Sequence, residues 1–295
     1  MSIGILISVH DGIVLAADSA STLTLMQPGP VPNQQSTVAL NVYNNANKIA
    51  NLFKGKPIGC VAYGAGSIGN ASISTLLKDF RYSITSGQES KFSLADYTME
   101  GVAKLLTEFL MRHVNQLAPL PLNAPKPTLG ILLGGYSAGK SLGEGWMIHI
   151  ENGTARAPQR LRKEQEVGIT WGGEGEAISR LVLGFSPGLP LILRSIVTPQ
   201  PPEAVEQLMA VLTGNLQAPI VFAPMPIQDA IDLAEFLVHT AITFSRFTPG
   251  PQAVGGPIEI AAITKHEGFK WIRRKHYYSR EFNPEPHNDD SARHD

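Results

Sequence analysis

The chain has 295 residues, with 24 Lys and Arg against 25 Asp and Glu, a net charge of −1, 43% apolar residues and 17% charged residues. This composition is typical of a globular protein, and at this length one large domain or two small ones can bury a sizeable core without disulfides or metals. The near-neutral charge gives no field that would gather phosphates or anionic lipid, which argues against nucleic-acid or membrane-surface binding as the main activity.

Cys60, the single cysteine, indicates the expected compartment. One thiol excludes an internal disulfide framework and any zinc site built from several cysteines, as is common in a reducing compartment. The first residues lack the basic segment of a secretory signal, and the chain has no transmembrane-length apolar run. We therefore expect a cytoplasmic protein. Because Ser2 is small, we also expect aminopeptidases to remove Met1.

Apolar runs predict four strands at the start of the chain, paired as two hairpins. The first hairpin turns at Asp11-Gly12, a frequent hairpin signal, and the second turns at residues 54–57, which contain Gly and Pro. Between the hairpins, the Pro-, Gln- and Asn-rich stretch 27–47 predicts a long loop. The four predicted strands cover residues 3–9, 13–17, 48–52 and 58–63.

Two amphipathic helices are predicted next. Apolar residues recur at helical spacing from Ile73 to Phe80 and from Val102 to Leu110. A serine at 93 with an aspartate three residues later predicts the cap of the second helix. The elements predicted after these helices are strands at 128–135, 146–151 and 167–171 and a helix at 176–184.

The last third of the chain opens with a proline-rich segment, 186–226, which we interpret as an inserted excursion with one helix. Residues after Lys275 are polar and predicted to form a mobile tail. The order of elements is neither a repeated βαβ unit nor an array of repeats. The elements predicted in this part are helices at 202–212 and 227–247 and strands at 258–264 and 269–272.

Residues 134–141 match the phosphate-binding pattern G-x-x-x-x-G-K-[ST]. A phosphate-binding loop must open a helix whose first amides hold the phosphates. Here Gly143 and Gly145 lead into a predicted strand instead. A flexible hairpin loop is therefore favoured over nucleotide binding.

Neither a metal nor another cofactor is predicted. The eight histidines show no H-E-x-x-H or comparable ligand spacing. The glycine-rich segment 172–175 lies between a predicted strand and a predicted helix, where a tight turn is the simpler interpretation.

Ser2 is the candidate nucleophile. After removal of Met1 it would carry both a hydroxyl and an α-amine, whose ordinary pKa of about 7.7–8.0 is near the value a general base needs. Such a site also needs a cation to lower the pKa of both groups and an acid to hold that cation. Lys48 and Asp18, at the ends of predicted strands, could supply them, although single charges in such places are more often solvated.

Residues 11–19, Asp-Gly-Ile-Val-Leu-Ala-Ala-Asp-Ser, closely resemble the D-G-V-V-L-A-A-D-S/T run of proteasome β-type subunits, which are N-terminal nucleophile hydrolases. Lys48 and the apolar residue after it resemble the family's catalytic lysine pair, and residues 64–67 resemble its G-x-G-T segment. Counting back without a gap from Asp11 places Ser2 where the family has its N-terminal Thr.

The resemblance covers about residues 2–275 and suggests a divergent bacterial-type proteasome homologue. It implies an α+β fold, the four-layer αββα sandwich of the N-terminal nucleophile hydrolase type. It also implies a single proteasome β-like domain over 1–275, with extra length near 25–47 and 186–225, and a polar tail at 276–295.

The resemblance further implies a catalytic role for each site residue. Ser2 would attack a peptide carbonyl, its α-amine would relay the proton, and Lys48 would tune both. Asp18 would orient Lys48, and the Gly64 N–H would hold the oxyanion. Glu174 stands where many relatives have the serine of G-S-G, so that a carboxylate would replace a supporting hydroxyl.

The resemblance also identifies a departure from the family. Where many relatives have D-S-x-x-S-G-G, residues 251–256 read Pro-Gln-Ala-Val-Gly-Gly, without the supporting Asp and Ser.

The expected function is hydrolysis of peptides or unfolded proteins inside stacked homo-oligomeric rings, as a homologue of threonine-type peptidases. Such rings usually depend on an unfolding ATPase as partner, and no nucleic acid or membrane is expected. Two alternatives stay open. One is a catalytically inactive ring or scaffold, suggested by the altered segment 251–256, and the other is an acyl transferase that passes the acyl group to an amine.

Overall fold

The computed structural model describes residues 2–28, 35–88, 92–117, 126–196, 202–250, 252 and 254–275. Met1 and the predicted tail at 276–295 lie outside this range. Within it the chain is mixed α+β, with six helices and several antiparallel sheets. The strands are β1 (Ile3–Val9), β2 (Gly12–Ala17), β3 (Ser21–Pro28), β4 (Gln35–Tyr43), β5 (Ile49–Asn51), β6 (Ile58–Gly64), β7 (Ser67–Ile68), β8 (Ala71–Ser72), β9 (Leu129–Gly135), β10 (Glu144–Glu151), β11 (Thr154–Ala155), β12 (Gln159–Arg160), β13 (Gly168–Gly173), β14 (Glu259–Thr264) and β15 (Gly268–Arg273). The helices are α1 (Ile73–Thr85), α2 (Met99–Asn115), α3 (Glu176–Leu183), α4 (Leu189–Ile196), α5 (Pro202–Leu216) and α6 (Ile227–Arg246).

Two larger sheets organise the described chain. One has the strand order β13-β1-β2-β14-β15, and the other has the order β11-β10-β9-β6-β5, with β12 also paired to β10. Every pairing in them is antiparallel. β1 and β2 are buried along nearly their whole length, which explains why their sequences are continuous apolar runs without polar alternation.

Three apolar clusters hold these elements together. Between the two sheets, Leu6 and Leu15 pack in one cluster with Leu132. On the other face of β1, Ile5 packs with residues of α3 and α6, because successive strand residues point to opposite faces. The third cluster joins α1 and α2 to the sheet that contains β6 and β9, with Leu133 among its members.

The segment 27–47 was predicted to be a long loop, and this prediction is wrong. β3 and β4 form a two-stranded hairpin of their own over most of it. β3 contains two Thr, and β4 contains one Thr, two Val and one Tyr, and the high strand propensity of these residues outweighs the Pro and Asn content.

The predicted start of the second helix and the predicted number of helices at 186–226 are also wrong. α2 begins at Met99, and its N-cap is Thr98, whose hydroxyl accepts a hydrogen bond from the Gly101 N–H at 3.0 Å, whereas Ser93 was predicted to cap it. The excursion at 186–226 contains two helices, α4 and α5, where one was predicted. α4 was missed because prolines flank and begin this short helix, which obscures its spacing.

The segment 134–141 runs from the end of β9 into the connection to β10, as predicted, and it opens no helix. No helix in the described ranges is long and apolar enough to cross a bilayer.

Candidate active site

Ser2 lies immediately before β1 and is 2% exposed. Its carbonyl oxygen accepts a hydrogen bond from the Glu174 N–H at 2.8 Å, which continues the β1–β13 ladder by one residue. Gly173 has φ +96°, and a Cβ there would lie 1.8 Å from the Ser2 carbonyl oxygen. The backbone of Ser2 is therefore fixed by the last residues of β13.

The Ser2 hydroxyl points to the end of β6. Its Oγ accepts a hydrogen bond from the Gly64 N–H at 2.9 Å. Gly64 has φ +93°, and a Cβ there would lie 2.7 Å from the Thr128 carbonyl oxygen, so both conformation and space favour glycine. The structure thus places the predicted nucleophile and the predicted oxyanion donor in direct contact.

Asp18 follows β2 and is fully buried. Its Oδ1 accepts from the Ile3 N–H at 3.0 Å and from Lys48 Nζ at 2.5 Å. Its Oδ2 accepts from the N–H groups of Ala20 and Gly255, each at 3.0 Å. Four donors therefore hold this carboxylate in one orientation.

Lys48 immediately precedes β5 and is 8% exposed. Burial lowers the pKa of its ammonium group below the ordinary 10.5, while the adjacent Asp18 carboxylate acts in the opposite direction. Lys48 therefore loses its proton at a lower pH than a solvated lysine does. Lys48 and Asp18 form a buried ion pair, not the solvated strand-end charges of the simpler interpretation.

A cavity of about 380 Å³ opens beside these residues, and both Ser2 and Lys48 line it. This volume is in the range that proteins use for small ligands. Three small residues, Ala20, Ala62 and Gly66, also line it and leave room beside Ser2. A peptide side chain could therefore reach the Ser2 hydroxyl.

Glu174 and the altered segment 251–256 contact the site through their backbones. Glu174 donates its N–H to Ser2, and Gly255 donates its N–H to Asp18 while its carbonyl accepts from the Ser19 N–H at 2.8 Å. Pro251 and Ala253 lie outside the described residues. The structure places Glu174 at the site but brings its amide, not its carboxylate, into hydrogen-bond contact with Ser2.

Glu259 and Lys275 form a second buried ion pair beside the site, which the sequence analysis did not identify. Their charged atoms lie 3.4 Å apart, and both side chains are less than a tenth exposed. Lys275 Nζ also donates to Ser19 Oγ at 2.5 Å and to the Ala46 carbonyl oxygen at 2.6 Å. The signal available in the sequence was the carboxylate of Glu259 at the start of the otherwise apolar strand β14.

Three segments match the G-x-S-x-G pattern of serine hydrolases, around Ser137, Ser141 and Ser186. That pattern requires a turn from a strand into a helix. Ser137 lies instead in the β9–β10 connection, where its hydroxyl donates to Glu144 and accepts from the Met99 N–H. Ser186 lies between α3 and α4. Ser141 lies in the same connection as Ser137, so none of the three serines occupies a turn from a strand into a helix.

Among the residues that the structure describes, no group of three or more His, Cys, Asp and Glu could hold a metal ion.

We compared the chain with models of protein families and with curated proteins, and neither comparison gave a match. The functional assignment therefore depends on the geometry of the site.

Proposed function

We propose that this chain is a proteasome-like peptidase in which Ser2, exposed by removal of Met1, is the N-terminal nucleophile. One observation carries the proposal. Ser2, Gly64 and Lys48, which come from separate points of the chain, line one cavity, where the Gly64 N–H donates to the Ser2 hydroxyl and buried Asp18 holds Lys48. An isolated buried ion pair is costly to desolvate, so its position beside a buried hydroxyl favours a chemical role.

The chemistry follows from these groups. The free α-amine of Ser2 would take the hydroxyl proton as Oγ attacks the peptide carbonyl, and would return it to the leaving amine. The Gly64 N–H would stabilise the oxyanion, and the Lys48 charge would lower the pKa of the amine and the hydroxyl. Water would then cleave the resulting ester and regenerate Ser2.

The succession of apolar clusters supports a four-layer αββα arrangement of the N-terminal nucleophile hydrolase type. One cluster joins two helices to a sheet, one joins the sheets, and one joins the second sheet to two further helices.

We further propose a homo-oligomeric ring in the cytoplasm, served by an unfolding ATPase. Size-exclusion chromatography tests the ring, and a stable monomer of 31.8 kDa would contradict it.

A peptide epoxyketone tests the nucleophile. The Ser2 hydroxyl would add to its ketone and the α-amine would open its epoxide, giving a ring adduct whose mass is the sum of both reactants. An internal serine lacks the amine and cannot close this ring. The protein is first prepared with Ser2 exposed by a site-specific protease, and intact mass confirms this state before the reagent is added.

We expect one adduct per chain, located on Ser2, and none on Ser2→Ala, which keeps the amine but lacks the hydroxyl. Cleavage of a peptide library by the same preparation would then establish hydrolysis. Failure to form the adduct, with Ser2 verified as the first residue, would contradict the proposal.

A catalytically inactive ring or scaffold is the second candidate. It is favoured by the segment 251–256, which lacks the supporting Asp and Ser of many relatives, and by Glu174, which contacts Ser2 through its backbone N–H. A ring in solution without an epoxyketone adduct would support this candidate. Adduct formation and peptide cleavage would exclude it.

Amide formation with an added amine acceptor, in place of hydrolysis, would identify an acyl transferase.

A further inference from the structure

We propose that Lys275, together with Glu259, is a positioning residue that holds the segments of Asp18 and Lys48 together and places a charge of each sign near Lys48; this inference rests on the function proposed above. Lys275 lies directly after the last described strand, and its Nζ contacts three different parts of the chain. Two of these parts lead directly to the catalytic ion pair.

The contacts of Lys275 join the backbones that carry Asp18 and Lys48. Ser19, which follows Asp18, presents its Oγ to Lys275 at 2.5 Å. Ala46, two residues before Lys48, presents its carbonyl oxygen at 2.6 Å. The Ala46 N–H also donates to the Ser19 carbonyl oxygen at 2.9 Å. The two segments are therefore joined both by this backbone hydrogen bond and by the ammonium group of Lys275.

Burial makes stability a poor explanation for this second pair. The side chains of Lys275 and Glu259 are 8% and 1% exposed, so both charges lose most of their hydration. A buried pair of this kind often stabilises a fold no better than packed apolar side chains would. Its position beside another buried pair indicates a role in setting the charge of the site.

Three charged groups act on Lys48 from neighbouring elements. Asp18 at the end of β2 and Glu259 at the start of β14 raise the pKa of Lys48, and Lys275 after β15 lowers it. Burial also lowers the pKa of Lys275 itself, against the effect of Glu259 and Asp18. The second pair therefore acts on Lys48 with two opposed charges, of which Lys275 has the larger effect.

Because Lys275 and Glu259 act on the Lys48 pKa in opposite directions, their removal should shift it in opposite directions. A purely structural role predicts no such opposition. Lys275→Met removes the positive charge and should raise the pKa of Lys48. Glu259→Gln removes the negative charge at nearly constant shape and should lower that pKa. Each change should move the Lys48 pKa in its own direction, and the variant with both changes should lie between the two single variants.

The measurement is the pH dependence of reductive methylation of Lys48, followed by peptide mass spectrometry. It reports the Lys48 pKa whether or not Ser2 is active, so failure of this inference and failure of the proposed function are distinguishable. Where the epoxyketone reacts, the acidic limb of its pH–rate profile should move in the same direction as the methylation curve.

Arg273→Gln is the matched control, because it removes a positive charge from the same segment in an exposed pair with Glu235. It should leave the methylation curve unchanged. Lys275→Arg keeps the positive charge, so it should not raise the pKa of Lys48 as Lys275→Met does. Shifts of Lys275→Met and Glu259→Gln in the same direction, or no shift in folded Glu259→Gln, would overturn the inference.

Discussion

Gly173 and Ser2 are so close that a single added methyl group would not fit between them. A Cβ on Gly173 would lie 1.8 Å from the Ser2 carbonyl oxygen, and the φ of +96° at this position also disfavours any L side chain. Glycine at the end of β13 is thus a condition for the observed position of the nucleophile.

Gly173→Ala should displace Ser2 and destabilise the fold. We expect a loss of about 2–3 kcal/mol in the free energy of unfolding, since both strain and overpacking contribute, and loss of epoxyketone reaction. Urea denaturation measures the first and intact mass the second. Gly55→Ala is the control, because Gly55 has a similar φ of +81° with no atom within 4 Å of the added Cβ. Equal effects of the two substitutions would show that contact with Ser2 is unimportant.

Lys48→Ala should abolish turnover and leave the protein folded, since Asp18 keeps three backbone donors without Lys48. Lys48→Arg should also fail, because its charge cannot be tuned and its planar group does not fit the place of a compact ammonium. We expect the rate of epoxyketone reaction to fall at least about 100-fold in both variants. Lys104→Ala, in an exposed pair, controls for loss of a lysine. Retained peptidase activity in Lys48→Ala would contradict the assigned role.

Asp18→Asn should destabilise the protein strongly. The change leaves Lys48 buried without its counter-charge and turns an amide NH₂ toward backbone N–H donors, so we expect a loss of about 3 kcal/mol in the free energy of unfolding. Glu151→Gln breaks an ion pair of the same 2.5 Å length that is more than half exposed on both sides, and should cost less than about 1 kcal/mol. Denaturant unfolding of both variants checks this ratio, and a loss below about 1 kcal/mol for Asp18→Asn would contradict it.

Cys60 should make the protein less stable at alkaline pH. Burial raises the pKa of this thiol from 9.0 to about 12, so the unfolded chain loses the proton first as pH rises. The contribution of Cys60 to stability is therefore constant below pH ~9 and falls by about 1.4 kcal/mol per pH unit from there to pH ~12. Cys60→Ser cannot titrate, so the stability difference from the unmodified protein should shrink between pH 8 and 10.5. A constant difference over that range would contradict the prediction.

Local patterns were enough for much of the fold. The continuous apolar runs of β1 and β2 and the helical spacing from Ile73 to Phe80 correctly predicted their elements, because each pattern reflects burial on known faces. The hairpin of β3 and β4 was not predicted, since its Pro and Asn content resembles that of a loop. The start of α2 was misplaced because Ser93 and Thr98 are both good caps, and only the described geometry shows which hydroxyl accepts.

The sequence by itself pointed to the candidate residues Ser2, Asp18, Lys48 and Gly64, because short segments that contain or precede them resemble those of proteasome β-type subunits. Only the tertiary structure decided that Ser2, Lys48 and Gly64 line one cavity and that Asp18 pairs with Lys48. It also decided that Glu174 contacts Ser2 through its backbone and that Lys275 joins the site. The physical reason is that antiparallel pairing brings β1 beside β13, and β2 beside β14, across more than 150 residues of chain. Contacts of that range leave no local period in a sequence.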